Sequence, residues 1–294
     1  MKLRHGQAVA LMVAAAAMWS IAGVVTRQLD HARSFEVTFW RSLFTVLSLA
    51  VILPASQGLG VFRRLPWRNL YFWGSGMCWC IMFTAFMVAL TLTSVANVLI
   101  TMALGPLVTA LLTWLLTGQA LPWRTWLAIG LAGLGIGWMF ASQMDLADNG
   151  FVLGVAVAVC VPLAGAVQWN LVQRSQARGL NLDLVPSVML GALLSTLVTF
   201  PWALPFRASV SDLQWLALLG LVQLAIPCAL SVVCARVLMA AEVSLLALLE
   251  VVFGIALAWL GAGEAPSIPV ITGGSMVLVA LLINELFARK QRHV

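Results

Sequence analysis

The chain alternates between long uncharged apolar runs and short polar or charged segments. A transmembrane helix needs about 20 consecutive, predominantly apolar residues. Six uncharged runs have about that length, so each of them predicts one membrane-spanning helix. The runs are 6–26, 125–144, 149–173, 184–206, 213–235 and 265–284.

The remaining apolar sequence accounts for four more helices. The uncharged stretch 69–123 is too long for one span, and the polar residues around 91–94 divide it into a third and a fourth helix. A second helix fits 35–54 and a ninth fits 243–263, although each of these carries one charge. The pattern therefore predicts ten transmembrane helices in an all-α integral membrane protein.

Composition and loop charge agree with this interpretation. The chain is 62% hydrophobic and 9% charged, whereas soluble domains carry about 25% charged residues. With a cytoplasmic N-terminus, twelve basic residues lie on the cytoplasmic side and three lie outside. This bias follows the positive-inside rule, so we expect both termini to be cytoplasmic at a bacterial inner membrane. The basic residues that give the net charge of +6 lie mostly in loops that orient the helices, so we expect no nucleic-acid partner.

The two halves of the chain resemble each other. Laying 97–119 over 242–264, a shift of 145 residues, pairs Trp114 with Trp259 and Gly118 with Gly263. The shift superposes the fourth predicted helix on the ninth, so each half contains five helices. Because five is an odd number, the second half must cross the membrane in the opposite orientation. Inverted repeats of this kind occur in secondary transporters. The predicted repeats are 1–144, with helices one to five, and 149–288, with helices six to ten.

Several residues in the predicted spans and directly after them form a familiar pattern, namely Trp19-Ser20, Arg41, Gly105-Pro106, Gly118, Glu250 and Gly263-Glu264. In these residues the chain resembles EamA-type transporters of the drug/metabolite transporter superfamily. The resemblance implies a basket of ten helices, with a central cavity lined by helices one to four and six to nine. Members mostly move amino acids, drugs or other small metabolites, often outward. Gln119 and Val251 depart from the family pattern, which has Glu and often Pro there.

Arg41 and Glu250 are charged residues within predicted spans, and such residues usually mark functional sites. In one interpretation Arg41 binds a substrate carboxylate, and Glu250 binds the substrate ammonium group or a coupling proton. In the other, each is a neutralised or locally hydrogen-bonded group that locks helix packing, and Arg41 could also extend toward the interface. The sequence leaves both interpretations open.

Further candidates lie on the predicted cavity helices. Trp19 and Trp169 occupy comparable places in the two repeats and could stack on an organic substrate, or they could simply fill core volume. Five polar side chains could hydrogen-bond to substrate, with hydrogen bonding between helices as the alternative. These side chains are Asn97, Thr101, Gln168, Asn170 and Ser244.

Three prolines fall within predicted spans, namely Pro106, Pro162 and Pro227. Proline lacks the backbone N–H and kinks a helix, so these residues could act as hinges for alternating access. Structural kinks without movement are the alternative.

The expected function is secondary transport of small polar metabolites, chiefly amino acids, outward across the inner membrane by alternating access. The alternatives are import, or transport of a drug or a nucleotide- or lipid-linked sugar. An intramembrane enzyme is disfavoured because His5, His31 and His293 lie outside the spans and no Asp lies within one. The expected partners are a small-molecule substrate and the bilayer, with no cofactor or metal, and a monomer suffices for a complete pathway.

Overall fold

The computed structural model describes residues 3–26, 28–32, 34–92, 98, 101–102, 104–118, 122–140, 149–180, 182–262 and 268–292. Throughout these ranges the chain forms helices joined by turns, and they contain no strand. The α-helices are α1 His5–Trp19, α2 Ala22–Thr26, α3 Ser34–Gln57, α4 Leu70–Leu92, α5 Gly105–Thr117, α6 Trp123–Phe140, α7 Asn149–Ala177, α8 Pro186–Ala203, α9 Val210–Leu218, α10 Ile226–Cys234, α11 Ala240–Ala247, α12 Leu249–Ala262 and α13 Ile268–Arg292. A 3₁₀ helix covers Leu59–Arg64 and a π-helical segment covers Leu219–Ala225.

The helices confirm an all-helical membrane fold. Within the described ranges, six helical stretches are long and apolar enough to cross a bilayer. Gly105–Leu116 and Ile271–Ala280 are shorter apolar helices in the positions of the fourth and tenth predicted spans. The six long stretches are His5–Thr26, Phe35–Gln57, Leu70–Ala89, Leu153–Ala177, Pro186–Ala203 and Val210–Cys234.

Two predicted spans are interrupted near their middles. The first is divided between α1, which ends at Trp19, and α2, which begins at Ala22. The ninth is divided at Leu248, between α11 and α12. The second interruption places Glu250 in the first turn of a new helix, where the helix dipole favours a negative charge.

The eighth predicted span is interrupted differently, by the π-helical segment between α9 and α10. Ile226 donates its N–H to the carbonyl of Leu221, five residues earlier. The next residue, Pro227, has no N–H to offer the Gln223 carbonyl, and its ring would clash with that carbonyl in a regular α-helix. The wider π-helical turn relieves both problems, which gives a physical cause for it.

The π-helical segment packs closely against α3. Thr45 donates its Oγ1 hydrogen to the Gly220 carbonyl at 3.1 Å. A Cβ atom at residue 220 would lie 2.9 Å from the Arg41 carbonyl oxygen and 2.5 Å from Phe44 Cβ. Only glycine permits this contact without rearrangement, so the segment is held in a fixed position beside Arg41.

Helices α6 and α13 form a separate pair at one side of the described structure. A Cβ atom at Gly135 would lie 2.5 Å from the Gly273 carbonyl oxygen, so the backbones approach closely there. Trp138 also donates its Nε1 hydrogen to Thr272 Oγ1 at 3.0 Å. Close packing through small residues is typical of membrane helices, and it accounts for the glycine at residue 135.

Candidate functional site

A cavity of about 150 Å³ lies among the central helices. Its wall is largely apolar, with the aromatic rings of Trp79, Phe83 and Phe86 on one side. Small-molecule sites typically combine such a wall with a few polar groups. Six of the residues singled out from the sequence contribute to its lining, and they are Trp19, Arg41, Pro162, Trp169, Ser244 and Glu250.

Arg41 projects from α3 into this cavity and is only 3% exposed. Its Nη2 donates to the Phe83 carbonyl at 3.3 Å. Its Nε has no hydrogen-bond partner among the described residues. A buried guanidinium is unfavourable unless its donors are satisfied. Arg41 lines the cavity and keeps one donor without a partner among the described residues.

Glu250 lines the same cavity from the first turn of α12. Arg41 and Glu250 interact electrostatically, yet within the described part of the chain no salt bridge joins them. The cavity therefore contains an acid and a base that do not neutralise each other by direct contact. A ligand with both charges could bind between them.

The tryptophans predicted from the sequence both line the cavity, and Trp79 joins them. The rings of Trp79 and Trp169 meet edge to face, with centroids 5.9 Å apart. Trp79 also lies 5.5 Å from Phe83 between ring centroids. This arrangement gives the cavity an aromatic surface suited to apolar or aromatic groups.

Other predicted polar residues lie away from the cavity. Asn170 accepts a hydrogen bond from Thr113 Oγ1 at 2.9 Å and donates Nδ2 to the Ala166 carbonyl at 2.9 Å. Its side chain therefore joins helices, as the alternative interpretation had it. Thr101 is buried but does not line the cavity. Asn97 lies outside the described residues.

The predicted hinge prolines have three different settings. Pro162 lies inside α7 and lines the cavity. Pro106 lies in the first turn of α5, where a missing N–H leaves no helical bond unmade. Pro227 lies in the first turn of α10, directly after the π-helical segment. Two of the three therefore begin a helix.

Two polar cavity residues were missed by sequence reasoning. Gln223 and Trp79 both line the cavity, and Gln223 Oε1 and Trp79 Nε1 lack hydrogen-bond partners among the described residues. Gln223 carries a sequence signal, since it is a polar residue four positions before Pro227 in an otherwise apolar run. Trp79 carries none, because the stretch around it is uniformly apolar.

Two other buried acidic residues contrast with Glu250, and we call them the carboxylate clamps. The Glu36 carboxylate accepts the backbone N–H groups of Arg207 and Ala208, at 2.9 and 2.8 Å from Oε1. Asp212 accepts those of Asp30 and His31, at 3.0 and 3.2 Å. Each clamp thus ties the first half of the chain to the second, and its carboxylate is fully used within the protein.

Together, the apolar helices and the central cavity define a multi-pass integral membrane protein. The model of the EamA-like transporter family matches residues 6–141. This match confirms the resemblance seen in the sequence over the first predicted repeat.

Comparison with solved structures shows that the fold extends over the whole chain. A structure described only as "Crystal structure of protein" is 18% identical with a TM-score of 0.79, and the match covers 97% of this chain and 99% of that one. At this identity the match shows a shared fold alone. A comparison with curated proteins gave no match.

Proposed function

We propose that the protein is a secondary transporter that moves amino acids or related small polar metabolites outward across the bacterial inner membrane. The observation that carries this proposal is the central cavity, whose lining includes aromatic rings and also Arg41 and Glu250, with no salt bridge between these two among the described residues. A zwitterion offers one charge to each of these residues. The match to a transporter family supports transport over enzymatic chemistry.

In the proposed binding mode, Arg41 binds the substrate carboxylate through its unused donor. Glu250 binds the ammonium group or, in the return step, a coupling proton. Trp19 and Trp169 contact the apolar part of the substrate, and Ser244 adds a hydrogen-bonding group. Each of these residues lines the cavity.

The proposed architecture is ten helices arranged as two inverted repeats, 1–144 and 149–288. The helix breaks support it, because α5 begins at Gly105 and α12 begins at Leu249, close to the 145-residue shift. Gly105 and Glu250 are related by that shift, and both line the cavity. Broken helices beside a central site are a recurring feature of transporters with inverted repeats.

In the proposed mechanism, alternating access opens the cavity to each side of the membrane in turn. Pro162 in α7 and Pro227 after the π-helical segment are the proposed hinges, since both lie where regular helical hydrogen bonding is interrupted. Pro106 begins a helix and is a weaker hinge candidate. The basic loops support cytoplasmic termini, and Arg63 and Arg64 are exposed between α3 and α4.

The test is reconstitution of the purified protein in proteoliposomes with a panel of radiolabelled amino acids. Transport is measured with and without an imposed proton gradient, and its direction is compared in right-side-out and inverted vesicles. We expect transport of zwitterionic amino acids in the outward direction. Transport of none of the amino acids would contradict the proposal, and net import would reverse its direction.

Two outcomes would redirect the proposal. Transport that does not respond to the proton gradient would identify a facilitator, and Glu250 would then act in binding alone. Transport of a nucleotide- or lipid-linked sugar or a drug, without amino acids, would favour the second candidate substrate class. The zwitterion-compatible pair Arg41 and Glu250 favours amino acids.

A further inference from the structure

Gln223 is a buried polar residue of the cavity. The residue is 4% exposed and lines the cavity. Its Oε1 has no hydrogen-bond partner among the residues that the structure describes. An unsatisfied buried acceptor is unfavourable, so a ligand that donates a hydrogen bond to it would bind more tightly for that reason.

A second buried glutamine shows what a structural role looks like in this protein. Gln168 is fully buried and does not line the cavity. It accepts a hydrogen bond from Ser75 Oγ at 2.7 Å on its Oε1, while its Nε2 has no partner among the described residues. Its oxygen joins α7 to α4. Gln223 makes no such bridge from its Oε1, although it is nearly as buried.

The fold holds Gln223 at the cavity by specific means. Pro227 interrupts the regular hydrogen bonding of the helix one turn later, and the π-helical turn that results contains Gln223. Single π-helical turns are frequent at functional sites. Thr45 and Gly220 fix this turn against α3, next to Arg41. The backbone at Gln223 is therefore held in a fixed position relative to α3 at Arg41.

Three residues that line the cavity each have a buried polar atom without a partner among the described residues, and these atoms differ in hydrogen-bonding character. Arg41 Nε and Trp79 Nε1 are donors, whereas Gln223 Oε1 is an acceptor. A carboxylate accepts hydrogen bonds and cannot donate one, so it suits the first two. Among the charged groups of an amino acid, only the ammonium can donate to Gln223.

We propose that Gln223 is a specificity-determining residue whose side-chain oxygen accepts a hydrogen bond from the ammonium group of the substrate. This inference rests on the proposed function and sharpens it. Gln223 and Glu250 together select a primary ammonium, and the aromatic wall selects an apolar side chain. A ligand in which a hydroxyl replaces the ammonium loses both the charge and most of the donors.

The test compares an amino acid with its 2-hydroxy counterpart in proteoliposomes. L-Phenylalanine and L-3-phenyllactate have the same carbon skeleton and compete for uptake of radiolabelled phenylalanine. The measured quantity is the ratio of their inhibition constants. Four proteins are compared, namely the unsubstituted chain, Gln223→Leu, Gln223→Glu and the control Gln214→Leu, which removes an exposed glutamine from the same predicted span.

The unsubstituted protein is expected to prefer phenylalanine. Gln223→Leu should reduce that preference about tenfold, because a hydrogen bond to a charged group is lost. Gln223→Glu retains an acceptor oxygen and should keep the preference, and Gln214→Leu should leave it unchanged. Gln223→Ala replaces the leucine variant if that variant does not fold.

An unchanged ratio in Gln223→Leu or Gln223→Ala would overturn the inference. An equal loss in folded Gln223→Glu would also overturn it, since a steric role would then explain both variants. If the unsubstituted protein transports other amino acids but does not prefer phenylalanine to phenyllactate, this inference fails while the proposed function stands. Transport of no amino acid overturns both.

Discussion

Glu36 and Glu250 are the same residue type in the same bundle, yet their surroundings are opposite. Glu36 is 2% exposed, and its carboxylate accepts two backbone N–H groups and the Trp40 indole N–H. Glu250 faces the cavity, and among the described residues no hydrogen bond reaches its carboxylate. The Glu36 carboxylate is hydrogen-bonded in joining two segments, whereas the Glu250 carboxylate remains available to a ligand.

Burial of a charge in a membrane helix therefore does not by itself identify a transport site. The discriminating observation is whether the protein already supplies the partners that the group needs. By that criterion Glu36 and Asp212 are structural, and Arg41, Glu250 and Gln223 are candidates for ligand binding.

The largest expected effect on stability is that of Glu36→Ala. It leaves the backbone N–H groups of Arg207 and Ala208 without their acceptor in a buried place. We expect the free energy of unfolding to fall by about 3 kcal/mol, measured by denaturation in detergent. Glu36→Gln keeps one acceptor oxygen and should lose less. Equal stability of Glu36→Ala and the unsubstituted protein would show that the Glu36 clamp does not stabilise the fold.

Arg41→Met should give the largest loss of transport among the basic residues. The substitution retains an unbranched side chain but removes the charge, so we expect transport to fall about a hundredfold with little loss of stability. Initial rates in proteoliposomes provide the measurement. Arg207→Met removes an exposed arginine and serves as the control. A folded Arg41→Met protein with normal rates would remove Arg41 from the site.

Pro227→Ala should have an intermediate effect. It restores an N–H that can bond to the Gln223 carbonyl, which favours a regular α-helix over the π-helical turn. We expect slower hydrogen exchange in residues 219–227 and transport reduced about fivefold, which corresponds to roughly 1 kcal/mol. Unchanged exchange would show that the turn does not depend on the proline.

The smallest effect is expected from the Thr113–Asn170 pair. Their hydrogen bond lies away from the cavity, so Thr113→Val and Asn170→Leu should leave the transport preference unchanged. Their coupling in a double-mutant cycle should be about 0.6 kcal/mol, the average for such bonds in membrane proteins. A change in substrate preference in Asn170→Leu would restore Asn170 to the candidate site.

Much of the fold was accessible from the sequence because a bilayer imposes a simple rule of length and apolarity. That rule located the helices of residues 6–26, 35–54 and 213–235 to within a few residues. It could not reveal the breaks at Trp19 and Leu248, since both lie in apolar sequence whose hydrogen bonding depends on neighbouring helices. The ten-helix inverted repeat stays a prediction.

The candidate site was accessible only where a residue stood out from its surroundings. Arg41 and Glu250 did so as charges in apolar helices, and Trp19 and Trp169 did so by position. Asn170 stood out equally, but its partner Thr113 lies on another helix, 57 residues away in sequence. Gln223 depends on the π-helical turn to reach the cavity, which a regular helical pattern does not predict.

We infer that Glu250 serves transport and that Glu36, whose carboxylate is hydrogen-bonded within the protein, serves the fold. Transport rate and unfolding free energy, measured together on Glu250→Gln and Glu36→Gln, provide the test. We predict that Glu250→Gln keeps its stability and loses transport at least tenfold, while Glu36→Gln loses stability and transports normally per folded molecule. Normal transport by a folded Glu250→Gln protein would contradict the account.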